Sequence, residues 1–214
     1  MYSDSLIIIN LDDNSVSGYI NLRRSSESIV ISADNAYAAN WVGGSEVMVI
    51  NTATDKVVDS VSVGIEPESM VLDKNGMLWV LCNGGWAREN FAELDEINTA
   101  THGVEKKILF PTKQASPSCL KINGGGDTLY YLESGVRRFS ISAADLPADP
   151  LVPKSDHYFY KLGIDPVNSD IFVTDAVDYQ QNGYLLQYRS DGTFVKNLIT
   201  NIIPGSMCFK TAAK

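Results

Sequence analysis

The sequence predicts an all-β fold, a β-propeller of four-stranded antiparallel blades, and three observations carry that expectation. The segment INTAT occurs twice, beginning at Ile50 and again at Ile97. Around it a unit of four short strands recurs about every 45 residues, the dimension of one propeller blade. No stretch long enough for a helix shows the 3.6-residue apolar periodicity that a helical repeat would need. A β-sandwich could use similar strands, but it gives no reason for a recurring four-part unit.

Each unit reads in the same order. A first strand ends in a turn: SIVISADNA (28–36), SMVLDKNGM (69–77), SCLKINGGGDT (118–128) and YKLGIDPVNSD (160–170). A second strand with an aromatic follows, at Tyr37, Trp79, Tyr130 and Phe172. The third strands EVMVIN, ELDEIN, VRRFSI and YLLQY end near Ile50, Ile97, Ile141 and Tyr188, at separations of 47, 44 and 47 residues. A tight turn then leads to KVVDSVSV, VEKKILF, the weaker ADPLVP, and FVKNLIT. INTAT is the third-to-fourth strand corner, where short Asn, Thr and Asp side chains cap the turning backbone.

The four complete blades span 25–64, 65–110, 111–153 and 154–200 in a single domain, 1–214. Residues 5–22 read as a third and fourth strand, and IIPGSMCFK (202–210) reads as a first strand. These pieces imply a partial blade shared by the two ends, the usual way a propeller ring is closed. Its aromatic second strand is missing. Two readings stay open: a five-bladed ring with an incomplete closing blade, or the C-terminal part of a seven-bladed ring. The second is favoured, because the missing strand would lie just upstream of Met1. An open arc would leave apolar edges bare and prone to self-association.

Composition narrows function. The formal net charge of −9 argues against nucleic acid and anionic membrane surfaces as partners. No window approaches eighteen consecutive apolar residues, so the chain is not expected to span a membrane as a helix. Cys82, Cys119 and Cys208 are too scattered for a disulfide framework or a zinc site and read as buried thiols. MYSDSLIII is not a signal peptide, which leaves a cytoplasmic protein or a mature or truncated form of an exported one.

Function is expected on the second-to-third and fourth-to-first strand loops, which a propeller gathers at one face. These loops include WVGGSE (41–46), NGGWARENFAE (83–93), LESGV (132–136), VPKSDHYFYK (152–161) and DAVDYQQNG (175–183). The candidate ligand-binding residues are Trp41, Trp86, Arg88, Asn90, Phe91, Tyr158, Asp175, Asp178, Tyr179 and Gln180. Rigid aromatics beside hydrogen-bonding groups suit a flat or conjugated ligand, a sugar or a protein partner. The alternative for each aromatic, Phe159 included, is a wedge between blades. Asp175, Asp178 and Asn182 offer oxygens to calcium, but not at EF-hand spacing, so no metal is assigned. Glu66, Glu68, Glu89 and Glu93 would make the face negative and favour a cationic or neutral ligand.

No catalytic residue is assigned. The two histidines, His102 in a third-to-fourth corner and His157 in a loop, read as solvated side chains, and no G-x-S-x-G or H-E-x-x-H motif is present. NGGGD (123–127) is a hairpin turn with no helix behind it, not a phosphate cradle.

The repeats resemble the YVTN/YncE-like β-propeller superfamily, which carries an aromatic second strand and an I-[DN]-x-x-T-x-[KR]-V corner. VINTATDKVVDSVSVGIEPESMVLDKNGMLWVLCNGG carries that pattern. GIEPESMVLDKNGMLWV, DTLYYL, DIFVTDAVDYQQNGYLLQYRSDG and IIPGSMCF are similar to surface-layer-type propeller lipoproteins of Gram-negative gut anaerobes. Those proteins are longer, with seven or so blades and an upstream lipoprotein signal, both absent here. The resemblance implies a cell-surface or periplasmic location, a TonB-dependent outer-membrane transporter as partner, and, in a subset, a bound corrinoid such as cobalamin. It assigns no contact residue and no cofactor.

The expectation is a non-enzymatic exported binding protein that captures a small-molecule ligand for an uptake system. Its rivals are a protein-interaction scaffold or envelope component, and a propeller lyase or hydrolase, which would need a convergent acid–base pair.

Overall fold

The computed structural model of the chain describes residues 3–210, and among them it contains strands and turns but no helix. The chain forms two compact units, Met1–Leu72 with Gly76–Ser116, and Asp73–Asn75 with Pro117–Lys214. In the first, β1 (Ser5–Ile9) and β2 (Val16–Asn21) form a hairpin. Two four-stranded sheets follow: β3 (Ser26–Ser32), β4 (Asn35–Asn40), β5 (Glu46–Asn51) and β6 (Lys56–Ser62), then β7 (Pro67–Leu72), β8 (Met77–Cys82), β9 (Glu93–Asn98) and β10 (Val104–Leu109). The second unit holds β11 (Ser118–Ile122), β12 (Thr128–Leu132), β13 (Gly135–Ser140) and β14 (Val152–Pro153), then β15 (Phe159–Ile164), β16 (Ile171–Asp175), β17 (Asn182–Tyr188) and β18 (Phe194–Ile202).

In every four-stranded sheet, sequence neighbours pair antiparallel in simple succession. The fold is that of a β-propeller, and its four-stranded sheets run over 26–62, 67–109, 118–153 and 159–202. Burial explains the composition of each strand. β4 and β8, NAYAAN and MLWVLC, are covered on both faces and are nearly unbroken apolar runs. β10, at a sheet edge, alternates half-buried and exposed residues. Tyr37, Trp79 and Tyr130 are buried as expected of second-strand aromatics.

Each INTAT corner is built the same way. Asn51 Oδ1 accepts from the N–H and the hydroxyl of Thr54, both at 3.0 Å. Asn98 Oδ1 accepts from the N–H groups of Ala100 and Thr101, at 3.0 and 3.3 Å. Four residues after each Asn the chain turns left-handed, at Asp55 (φ 55°) and at His102 (φ 58°). The repetition is therefore structural.

Between the sheets of the first unit lies a core of Tyr37, Val47, Val49, Leu78, Val80 and Ile97. The β1–β2 hairpin packs Ile20 and Leu22 on the other face of the first sheet, against Ala36, Ala38, Met48 and Ile50. In the second unit Tyr130, Leu132 and Val136 meet Leu162, Ile171, Val173 and Leu186.

The tail departs from expectation. Residues 204–210 form no strand. A first strand is held by the second strand of its own blade, and no such strand lies beside this segment among the described residues. Its apolar side chains pack instead on the fourth sheet. Phe209 meets Phe172 edge-on at 5.4 Å, and a Cβ on Gly163 would collide with Met207 and Phe209. Cys208, between those inward residues, is exposed, unlike the buried Cys82 and Cys119.

Candidate binding face

In the first unit, NGGWAREN is a loop closed on itself. Gly84 and Gly85 take φ of 85° and 97°, and a Cβ on Gly84 would lie 2.7 Å from Asn90 O. Asn83 Oδ1 accepts from Gly85 N–H at 2.9 Å, and Asn90 N–H donates to Gly84 O at 3.2 Å. Two side chains pin the loop to the segment before β11. The Arg88 guanidinium donates to Gln114 O, and Lys113 Nζ donates to Glu89 O at 2.7 Å while lying 5.6 Å from the Phe91 ring. Arg88, Asn90 and Phe91 thus hold the loop in shape. Trp86 stands at its tip, 92% exposed. Trp41 is half-buried at the end of β4, in a turn where Glu66 accepts from Gly43 N–H at 3.3 Å.

In the second unit, the loops before β15 and after β16 are clasped by Asp175. Its carboxylate is 4% exposed and accepts from the N–H groups of Tyr158 and Val177, both at 2.9 Å, and lies 2.6 Å from His157 Nδ1. Burial pushes this carboxyl up, but the Val177, His157 and Tyr158 hydrogen bonds outweigh it and hold it below the ordinary carboxylate range. His157 is therefore an engaged side chain, stacked on Phe159 at 5.7 Å, and not the free solvated residue expected. An aspartate–histidine pair can serve a general base; this one fastens the 157–159 loop to β16.

Asp178 caps its own loop. Oδ1 accepts from the N–H groups of Gln180 and Gln181 and Oδ2 from the Gln181 amide, which together hold its carboxyl down at about 2. Val177 and Tyr179 adopt φ of 53° and 64°, turning the chain so that Tyr179 swings back over β15. There its ring meets Tyr158 at 5.1 Å and Tyr160 at 5.7 Å, both edge-to-face. Lys154 Nζ lies 4.9 Å from the Tyr158 ring and Lys161 Nζ 5.5 Å from the Tyr160 ring. Desolvation, with the adjacent Tyr158 and Tyr160, raises the Tyr179 phenol above its ordinary value. Tyr158 and Tyr179 remain 44% and 39% exposed.

The structure thus brings Tyr158, Asp175, Asp178, Tyr179 and Gln180 together in one unit, and Trp41, Trp86, Arg88, Asn90 and Phe91 in the other. Tyr160, Lys154 and Lys161 join the tyrosines without having been singled out in the sequence. The alternation of HYFYK carried the signal: at a strand start, Tyr158 and Tyr160 share one side and His157 and Phe159 the other. Phe159 accordingly packs on the inter-sheet core.

Two concave spaces of the second unit lie at the opposite end of its sheets. One of about 360 Å³ is lined by Thr128, Tyr130, Arg138, Ser169, Ser190 and Asp191, and one of about 500 Å³ by Lys74, Asp127 and Ser142 among others. Both are open and polar, bordered by hairpin turns. Tyr158 and Tyr179 are on the loop end, whereas Phe194, 54% exposed, begins β18 at the hairpin-turn end.

No protein-family model matches the sequence, and no curated protein matches it. Among solved structures the chain is similar to a quinonprotein alcohol dehydrogenase-like protein from Bacteroides thetaiotaomicron, with 13% identity and a TM-score of 0.68, covering 92% of this chain and 51% of that one. It is also similar to a functionally unknown protein from Desulfotomaculum acetoxidans, with 15% identity and a TM-score of 0.71, covering 94% of this chain and 65% of that one. The chain spans less than two thirds of either structure, and likeness at this identity shows the fold alone.

Proposed function

We propose that this chain is a non-catalytic binding module whose loop end in the second unit captures a flat, uncharged ligand. The observation that carries the reading is the Tyr158–Tyr160–Tyr179 cluster. Three rings are fixed edge-to-face by a loop that Asp175 and Asp178 close, with two of them two-fifths exposed. Preset aromatic faces lose little entropy when a planar partner covers them, and the flanking lysines supply donors at the rim. The resemblance of the repeats to YVTN/YncE-like propellers and to surface-layer-type lipoproteins extends the reading. The protein would act at the cell surface or in the periplasm, hand its ligand to a TonB-dependent transporter, and take a corrinoid as that ligand.

Titration calorimetry with cyanocobalamin tests the proposal, with a neutral oligosaccharide as the second probe. Saturable binding is expected, weakened about tenfold by Tyr179→Ala, the loss of one ring contact of about 1.4 kcal/mol. A folded protein that binds neither probe sinks the capture reading. Trp86 favours a second reading, an interaction scaffold, because a lone exposed tryptophan on a pinned loop is a typical protein-contact anchor. Trp86→Ala would then abolish transporter binding and leave the titrations unchanged.

A further inference from the structure

The fourth strands differ in how they guard their free edges. β6 carries Lys56 and Asp59, β10 carries Glu105, Lys106 and Lys107, and β14 is two residues long. Charge and brevity are how natural sheets keep an edge from pairing with another chain. β18 uses neither: FVKNLITNI runs nine residues with Lys196 as its one charge, and it is regular over Lys196–Ile199 between two register shifts against β17. Phe194, Leu198, Ile199 and Ile202 on it are 54%, 51%, 73% and 51% exposed. Its sheet already has four strands, so no further strand of the blade is due at this edge, unlike the two-stranded β1–β2 sheet.

We infer that β18 is a self-association edge, through which two copies of this chain pair antiparallel and join their last sheets across a two-fold axis. An unpaired edge presents alternate N–H and C=O groups that only another extended strand satisfies, and a two-fold pairing closes at the dimer. With the axis at Leu198, inside the Lys196–Ile199 stretch that pairs with β17 without a register shift, Asn197 lies opposite Ile199. The two Lys196 side chains never oppose one another. The net charge of −9 makes two copies repel overall, and β18, which has no carboxylate, adds nothing to that repulsion.

Sedimentation equilibrium of the intact chain over a wide concentration range tests this, together with hydrogen exchange of the β18 amides. A dimer fraction that grows with concentration is expected, with β18 exchange slowing in step. Ile199→Lys should weaken the dimer by about tenfold or more. At concentrations where both proteins are monomeric, its circular dichroism and melting temperature should match the parent's, because that side chain is 73% exposed. Ile7→Lys, on the exposed side of β1, should leave the dimer intact. A monomer at every concentration overturns the inference, as does association that survives Ile199→Lys or is lost with Ile7→Lys.

Discussion

Two aspartates, Asp95 in the first unit and Asp175 in the second, are both hidden from solvent and electrostatically opposite. Asp95 sits on β9 on the same face as Ile97, 0% exposed beside the inter-sheet core. Its Oδ2 accepts from Gly64 N–H at 3.0 Å and lies 3.7 Å from Lys107 Nζ, while its Oδ1 has no hydrogen-bond partner among the described residues. Burial pushes this carboxyl up to about 6, and Glu93 adds to the rise against the pull of Lys107 and Gly64. The same burial drives the neighbouring Cys82 thiol well above its ordinary range. Asp175 has three donors and is held down. At Asp95 deep burial outweighs the few groups that favour the charge, whereas at Asp175 three donors outweigh a shallower burial.

The largest effect expected follows from removing the organiser. Asp175→Ala leaves the Tyr158 and Val177 N–H groups and His157 without their acceptor, at a cost of about 3 kcal/mol in chemical denaturation. The Tyr158–Tyr179 contact should loosen with it, and ligand titrations should fail in a protein that still folds. A variant as stable as the parent would show that the clasp does not hold the loops.

Asp95→Asn should act in the opposite direction. A carboxyl raised in the folded state contributes stability below its unfolded value near 3.8, and that contribution is lost as pH rises through about 6. Stability of the first unit should therefore fall between about pH 4 and pH 6. Asp175, whose folded value is lowered, contributes above the ordinary carboxylate range and loses that contribution in more acid solution. Asparagine at 95 keeps an acceptor for Gly64, and its amide can donate to Glu93 Oε2, which has no hydrogen-bond partner. A gain of about 1 kcal/mol at pH 7.5 is expected, with the pH 4–6 slope abolished. Exchange rates of β9 amides measured against pH check both, and an unaltered slope would assign it to another group.

The blades were legible in the sequence because they repeat. INTAT, the second-strand aromatics and the 44- to 47-residue spacing all report one backbone geometry written several times. The candidate face was legible only as a set of loops. Arg88 and Phe91 looked like ligand groups because polar and aromatic residues in a long insertion have that look, yet their partners, Gln114 and Lys113, lie in a different loop. Such pairings join segments more than twenty residues apart and leave no local pattern. Asp95 was hidden for a related reason: ELDEIN reads only as a third strand, and nothing within it marks the Gly64 N–H, thirty-one residues away, that Asp95 accepts from. The closing strand assigned to 202–210 failed because an apolar pattern marks a buried segment without naming the hydrogen-bond partner a strand requires.

The smallest effect should come from Lys107, and it isolates the cause of the Asp95 shift. Its ammonium is about half exposed, 3.5 Å from Glu93 and 3.7 Å from Asp95, so solvent screens much of its attraction. Lys107→Met keeps the aliphatic stem on the sheet and removes the charge. At pH 8 the loss of stability should stay below about 1 kcal/mol. The titration of Asp95, followed by carbon-13 chemical shift, should nonetheless move upward from about 6, because the lysine is a cation opposing a rise that burial begins. The pH window in which the first unit loses stability should widen at its upper end, while that of Asp175 stays where it is. If the Asp95 midpoint does not move, the Gly64 N–H alone sets the balance against burial, and the contrast between the two aspartates rests on hydrogen bonds without any contribution from charge.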